Sequence, residues 1–477
     1  MSDVLRPDIC VIGAGSGGLS VAAAAAAFGV PVVLVEKGRM GGDCLNYGCV
    51  PSKALIAAGK HADALRHGAG FGIADVDPDI DFRKVREHIS RVIAAIAPND
   101  SAERFTALGV QVVRAEARFR DKRTLVAGDI EIRARRFVVA TGSSPLVPPI
   151  AGLDQIDFLT NETIFELTRR PGHLIIVGGG PVGIELAQAY RRLGSEVTVV
   201  EAATALSAED LEMAAIALDR VRADGVSIRE GAKATRVERS GKTGISVHVE
   251  SPQGEAAIDG THLLIAAGRT ANVAGLELEK AHIAYGGNGI NVSPDLRTTN
   301  RRVYAIGDVV AGAPKFTHVA GYHAGLVIRA LLFRLAAKEN RSIVPRVTFT
   351  DPEIAHVGMS EAEAFKHTRG ARLLRWPLAE NDRAQAERKT AGHIKVMVDA
   401  AGKILGASIV GANAGELISL WVLALSKDMN VRDIAAFVPP YPTMGEIGKR
   451  AAISYFAGTV QKPALRKLIG FIRVFGR

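Results

Sequence analysis

The chain has 477 residues, enough for about three domains, and its 48% apolar and 23% charged residues are the balance of a folded protein, not a disordered one. Its three cysteines, Cys10, Cys44 and Cys49, are too few for a disulfide-stapled secreted scaffold. The formal charge of +9 fits anionic ligands, and 5% aromatics without a dense basic block argue against nucleic acid.

Residues 1–8 are polar and carry acid, so they do not read as a secretory signal. No residue from 9 to 35 is charged, a run long enough for a bilayer. Glycines and Pro31 break that run, which reads instead as a buried strand–helix–strand unit. The pattern predicts a strand over 9–12, a glycine turn over 13–18, a helix over 19–28 and a strand over 32–35 ending at Glu36. A glycine-containing loop with two cysteines comes next and enters a helix near Ser52. Residues 80–108 read as helical with a break near Pro98. Strands are expected at 110–113, 123–126 and 136–140, and a boundary near 150, after Pro148 and Pro149.

The opening pattern then recurs: a strand over 174–177, a glycine turn over 178–183, a helix over 184–193 and a strand over 197–200 ending at Glu201. Gly13 to Glu36 and Gly178 to Glu201 have the same spacing of 23 residues. One supersecondary unit is therefore duplicated. Apolar runs at 263–268 and 303–308 come after it, and 314–337 reads as mostly helical. From about Arg346 the order of elements changes, with strands at 394–398 and 404–410 and helices at 416–427 and 431–437, the mark of a separate α+β domain. The tail from 463 to 477 places Leu465, Leu468, Ile469 and Ile472 at helical spacing and Arg466, Lys467, Arg473 and Arg477 opposite them.

Gly13, Gly15 and Gly18 form G-x-G-x-x-G between a strand and a helix. The first glycine allows a tight turn, the second lets a pyrophosphate approach the backbone, and the third lets helix and strand pack closely. The helix N-terminus faces the phosphates with its partial positive charge. Glu36 is placed to accept from a ribose diol. Gly178, Gly180 and Gly183 repeat this logic, so two dinucleotides are expected, most simply a flavin and a nicotinamide. Glu201 suits a free 2′-hydroxyl and repels a 2′-phosphate, which favours NADH over NADPH, with Arg222 and Arg229 the cations able to alter that preference.

Cys44 and Cys49 enclose four residues in Gly41-Gly-Asp-Cys-Leu-Asn-Tyr-Gly-Cys-Val-Pro-Ser-Lys53. No further Cys or His lies at zinc-like spacing, and in a reducing cytosol such a pair is more often catalytic than structural. Cys49 stands near a helix N-terminus, where the dipole lowers a thiol pKa. Lys53 is one turn further on, within reach of a flavin above the pair. Cys10 reads as a core residue of the first strand.

The cysteine motif, both glycine fingerprints, Ala140-Thr-Gly142, Gly268-Arg-Thr-Ala-Asn272, Gly307-Asp308 and the stretch 349–358 resemble the flavoprotein disulfide reductases of the class I pyridine nucleotide–disulfide oxidoreductase family. That family includes dihydrolipoamide dehydrogenase, glutathione reductase and mercuric reductase. The resemblance implies an α/β chain with two Rossmann-like dinucleotide-binding domains and a C-terminal α+β dimerisation domain. The division is FAD-binding over 1–150 and 271–343, NAD(P)-binding over 151–270, an interface domain over 344–460 and a basic amphipathic tail over 461–477.

It also implies roles. FAD takes Gly13, Gly15, Gly18, Glu36, Lys37, Gly42, Lys53, Thr141, Gly142, Gly307 and Asp308, the last near the ribityl chain. The nicotinamide takes Gly178, Gly180, Gly183, Glu201 and Gly268. Cys49 is the thiolate beside the flavin and Cys44 the interchange thiol, with Lys53 paired to Glu185. The enzyme is expected to be a cytoplasmic homodimer whose acceptor is a small disulfide, an electrophile or a metal ion.

One position departs from the family. Where thiol-using relatives have His-Pro-Thr-x-x-Glu, this chain has Tyr441-Pro-Thr-Met-Gly-Glu446. Tyrosine, with a pKa near 10 against about 6.5 for histidine, is a poor proton shuttle at neutral pH, and loss of a general acid–base costs about 10²–10⁴ in rate. Tyr441 and Glu446 then line an active site resembling that of mercuric reductase, without the second cysteine pair of that enzyme. Dihydrolipoyl dehydrogenase is the alternative, and a non-catalytic flavoprotein tethered to membranes by its tail is a third reading. His318 and His323 read as core or surface histidines.

Overall fold

A computed structural model of the protein describes residues 4–242, 244–460 and 462–475. The chain forms two compact units, Met1–Thr204 with Gly225–Glu339 and Ala205–Asp224 with Asn340–Arg477.

The first unit contains two parallel sheets. In one, the strands Val303–Ala305, Arg136–Val139, Ile9–Ile12, Val32–Glu36 and Val110–Arg114 lie side by side in that order. All four residues of Ile9–Ile12 are buried, which is why this strand reads as a continuous apolar run and not as an alternation. Leu19, Val21 and Ala22 of the helix Ser16–Ala27 share a core on one face with Ala324 and Val327 of the helix Thr317–Leu332. Cys10, Val33 and Phe137 pack on the other face with Phe119 and Leu125. Cys10 is thus a core thiol, and burial pushes its pKa up.

The second parallel sheet runs Ser227–Arg229, Glu196–Val200, His173–Val177, His262–Ile265. In both sheets the strand before the glycine turn is central, with the strand ending in glutamate on one side. The helices after the turns, Ser16–Ala27 and Pro181–Arg192, are both 12 residues long. Both start earlier than apolar periodicity alone indicates. Gly17 and Gly18 complete the first turn of one, and Pro181 takes the first position of the other, where its missing N–H costs nothing.

Two features of this unit have weak sequence signals. Lys233–Ser240, Gly244–Ser251 and Gly254–Gly260 form an antiparallel sheet that buries Val247 and Val249 against Ile175 and Leu263. The first of these strands is mostly polar and the last mixes Gly and Ala with its two acids, which hides them. Ser143–Pro145, in a stretch expected to be punctuation, is a short strand paired with Arg269–Ala271.

The second unit is built on an antiparallel sheet, Arg346–Thr348, Glu353–Gly358, Ile404–Gly411, His393–Val398, Arg372–Pro377. Trp421 of the helix Ala414–Ser426 and Ile447 and Ala451 of the helix Glu446–Ser454 pack on Val396 and Ile409. The helix Leu211–Ala223 also packs on this sheet. Lys395 Nζ, buried, lies 3.0 Å from Asp210, 2.9 Å from Glu212 and 2.9 Å from Glu361. A last helix, Pro463–Phe475, buries none of its residues. No helix among the described residues is long and apolar enough to cross a membrane.

Candidate active site

The two glycine turns are alike down to individual hydrogen bonds. Gly13 and Gly178 have φ of +104° and +117°, a region that excludes side chains, and a Cβ on Gly18 or Gly183 would overlap the carbonyl of Gly13 or Gly178. The middle glycines face open space. A Cβ on Gly15 would have nothing nearer than 3.9 Å, and one on Gly180 nothing within 4 Å. Each turn also holds a carboxylate. Glu36 accepts from the Ala14 and Gly38 N–H groups at 2.6 Å each. Glu201 accepts from those of Gly179 at 2.7 Å and Ala203 at 2.8 Å. An open backbone approach at a helix N-terminus, with an acceptor carboxylate beside it, fits the pyrophosphate and ribose of a dinucleotide at both places.

The cysteine loop is fastened to the first turn. Gly41 N–H donates to Ala14 O at 2.9 Å. A Cβ on Gly42 would meet Gly15 Cα at 2.7 Å, so only glycine lets the loop come this close. Cys44 lies in the short helix Gly42–Asn46, and Cys49 is the first residue of the helix Cys49–Arg66. Both thiols are free, as in the reduced form. The hydrogen bond from Cys44 lowers the Cys49 pKa to about 6, aided by the Thr317 hydroxyl and the Lys53 charge. The same bond, with burial, pushes Cys44 up. These contacts favour the anion on Cys49 and disfavour it on Cys44. Thr317 Oγ1 lies 3.4 Å from Cys49 Sγ.

Lys53, one turn past Cys49, places Nζ 2.8 Å from Glu185 Oε2. Glu185 is buried in the helix after the second glycine turn, so it is not a solvated helix residue. The ion pair links the cysteine helix to the second nucleotide unit.

Beyond the cysteine loop, Asp308 accepts from Ser143 Oγ at 2.6 Å, and Arg269 Nη2 pairs with Asp43 at 3.2 Å. Arg269 Nε also donates to Ser143 Oγ at 2.7 Å, so the Gly-Asp motif and the cysteine loop share one polar network. Thr141 and Asn272 exchange hydrogen bonds, Thr141 Oγ1 to Asn272 O at 2.8 Å and Asn272 Nδ2 to Thr141 O at 3.0 Å. Asn272 N–H also donates to Gly142 O, and Leu146 N–H to Gly268 O. Gly307 N–H donates to Nδ1 of the buried His323, whose Nε2 meets Glu339 at 2.9 Å; His323 is a core histidine. His318 stacks on Phe316. Lys37 pairs with Glu116 at the surface.

Tyr441 and Glu446 belong to the second unit. Tyr441 is 70% exposed and donates its hydroxyl to Asp382 at 2.8 Å, a bond that raises its pKa further. Glu446 begins the helix Glu446–Ser454. Sequence reasoning missed Thr317, Asp43 and Arg269 as site residues. Arg269 sits inside the motif Gly268-Arg-Thr-Ala-Asn272, so its position was available. Thr317 carries no local signal.

The pyridine nucleotide-disulphide oxidoreductase family profile matches residues 7–324, and the dimerisation domain of that family matches residues 344–452. A mercuric reductase of Streptomyces lividans is 35% identical over 94% of this chain and 96% of its own length. A dihydrolipoyl dehydrogenase of Geobacillus stearothermophilus is also 35% identical over the same shares. Among solved structures, LpdA from Mycobacterium tuberculosis superposes with a TM-score of 0.87 at 28% identity, covering 94% of this chain and 99% of that one. The Cu(II) complex of RclA, an HOCl-induced flavoprotein disulfide reductase of Escherichia coli, gives 0.83 at 27%, covering 93% and 98%.

Proposed function

Because this chain belongs to the pyridine nucleotide-disulphide oxidoreductase family, we propose that it passes two electrons from NADH, by way of FAD, to the Cys44–Cys49 disulfide and on to an acceptor that binds thiolates directly. The observation that carries this is the Cys44, Cys49, Lys53, Glu185 chain of contacts, fastened to the first glycine turn by Gly41.

FAD, when bound at the first turn, supplies the step between hydride and thiol chemistry. The residues do the rest. Two electrons and one proton, together the hydride equivalent that NADH gives up, break the S–S bond and leave Cys49 as thiolate and Cys44 as the thiol that meets the acceptor. The Lys53 cation and the Thr317 hydroxyl hold the negative charge on Cys49. Glu185 fixes Lys53 and keeps its charge local. Asp308, tied to Ser143, offers an acceptor to the ribityl chain. Glu201 favours NADH because its carboxylate, set by two backbone amides, faces the place of a 2′-hydroxyl. Arg222 is engaged by Asp219 at 3.3 Å.

Tyr441 shapes the acceptor class. Dihydrolipoamide and glutathione disulfide need a group that moves protons at neutral pH, and a tyrosine bonded to a carboxylate does so poorly. A thiophilic metal ion or an electrophile captured by two sulfurs needs no such group. The working form is a homodimer in the cytoplasm, with the basic tail its contact with a membrane surface.

Steady-state turnover with NADH and NADPH against Hg(II), Cu(II), hypothiocyanite, lipoamide and glutathione disulfide tests the reading. Faster turnover with the metal ions or hypothiocyanite than with lipoamide is expected; efficient lipoamide turnover would identify a dihydrolipoyl dehydrogenase instead. A Cys49→Ser variant is expected to lose disulfide-linked turnover and the long-wavelength absorbance of the reduced holoenzyme. Persistence of both would remove the relay.

A further inference from the structure

We propose that the helix Pro463–Phe475 is an in-plane anchor that seats the protein on anionic lipid bilayers. The helix lies beyond residue 452, where the match to the dimerisation domain ends. At 100° per residue, Leu465, Leu468, Ile469, Phe471, Ile472 and Phe475 fall within an arc of about 160°. Arg466, Lys467 and Arg473 lie on the other side, and Lys462 precedes them.

Two properties separate this helix from the other amphipathic helices of the molecule. Its apolar arc is uncovered: Leu468 is 52% exposed, Phe471 64% and Phe475 71%. By contrast, the amphipathic helix Phe82–Ile96 buries Phe82 and Ile89. Its polar side is basic without relief, because no Asp or Glu occurs anywhere after Glu446. A surface helix made soluble by charge carries both signs, whereas one that rests on a negative surface carries cations only.

An anionic bilayer answers both features at once. Acyl chains take the aromatic and aliphatic arc, and lipid phosphates take the lysines and arginines at the same depth. Thirteen residues make a helix about 20 Å long, short of the roughly 30 Å hydrocarbon core, so it lies along the interface and does not cross it.

The test is co-sedimentation of the full-length holoprotein with vesicles of phosphatidylcholine alone or mixed with phosphatidylglycerol. Binding is expected only with the anionic lipid. It should weaken as salt is raised from about 0.1 M to about 1 M, which shortens the Debye length from roughly 10 Å to roughly 3 Å. The double variant Leu468→Asp/Ile472→Asp tests the apolar arc and should lose binding at least tenfold. Lys467→Glu/Arg473→Glu tests the basic side and should lose it on the order of a hundredfold. Reduction of the bound flavin by NADH should be unchanged in both. The proposal is overturned if the protein binds neither vesicle, binds both equally, or still binds after deletion of 463–477. It is also overturned if that deletion lowers the oligomeric mass, which would place the helix on a second copy of the chain.

Discussion

Cys44 and Cys49 are chemically identical residues five positions apart, and their surroundings drive them in opposite directions. Cys49 receives a hydrogen bond from Cys44, stands 3.4 Å from a hydroxyl and feels the charge of Lys53, so its anion is favoured. Cys44 gives its proton to that bond and is half-buried, so its anion is disfavoured. Alkylation of the reduced enzyme by iodoacetamide should therefore rise through about pH 6 and level off above it, two units or more below an ordinary cysteine. The depressed pKa means the reactive form is present above that pH and is lost as pH falls through it. Replacing Thr317 with valine removes a donor to the anion, and the inflection of the alkylation profile should move upward. An unmoved inflection would assign Thr317 to packing alone. Tyr441 gives a complementary test. Tyr441→His restores a group that titrates near neutrality, and lipoamide turnover should rise by up to about 10².

At the scale of elements, a glycine turn is a place where backbone fills the room a side chain would need. Gly18 and Gly183 play the same part in two turns, each under the carbonyl of the turn's first glycine. Gly18→Val should abolish flavin retention, read as loss of bound yellow chromophore after gel filtration. Gly183→Val should leave flavin bound but prevent its bleaching by NADH. Identical effects of the two would mean that the turns do not serve separate nucleotides. Elements of the second unit are joined by charge as well as by apolar packing. Lys395 gathers Asp210, Glu212 and Glu361 from the helix Leu211–Ala223, its N-cap and the start of the helix Glu361–His367. Lys395→Met leaves several carboxylates with less compensation in a partly dry site. It should cost about 3–5 kcal/mol, seen as a lowered midpoint in denaturant.

At the scale of the whole molecule, duplication makes one supersecondary design serve two ligands. The sheets keep the same strand order and the carboxylates the same backbone donors. The two copies differ downstream of their turns: the first strand pair leads into the cysteine loop, and the second turn leads into the helix that carries Glu185. The ion pair between Lys53 and Glu185 is where the two copies meet. On the proposed reading coenzyme choice belongs to this scale, because Glu201 stands at the glycine turn of the second copy. Glu201→Ala should lower the ratio of kcat/KM for NADH over NADPH by at least tenfold, since a charged hydrogen bond is worth about 1.5–3 kcal/mol. An unchanged ratio would take Glu201 out of the selection.

Much of this protein was legible as a string of residues. The glycine turns, the acids 23 residues after them and the cysteine loop are local patterns, and short-range geometry alone gives them meaning. The same holds for Cys10 inside an uninterrupted apolar strand and for the two-sided tail. The antiparallel sheet over 233–260 was illegible because each outer strand sends a single residue, Val237 or Ile258, fully into the core, while the middle strand buries Ile245, Val247 and Val249. Thr317 was beyond reach for a different reason: it meets Cys49 across 268 residues, whereas the pairing of Lys53 with Glu185, 132 residues apart, was available through the family resemblance. Local sequence determines which turns and helices form, because their hydrogen bonds close within a few residues. Spacing and the family resemblance already pointed to Cys49 as the anion; what only packing supplied is the distant Thr317 hydroxyl on that sulfur, and folding, not spacing, sets that distance.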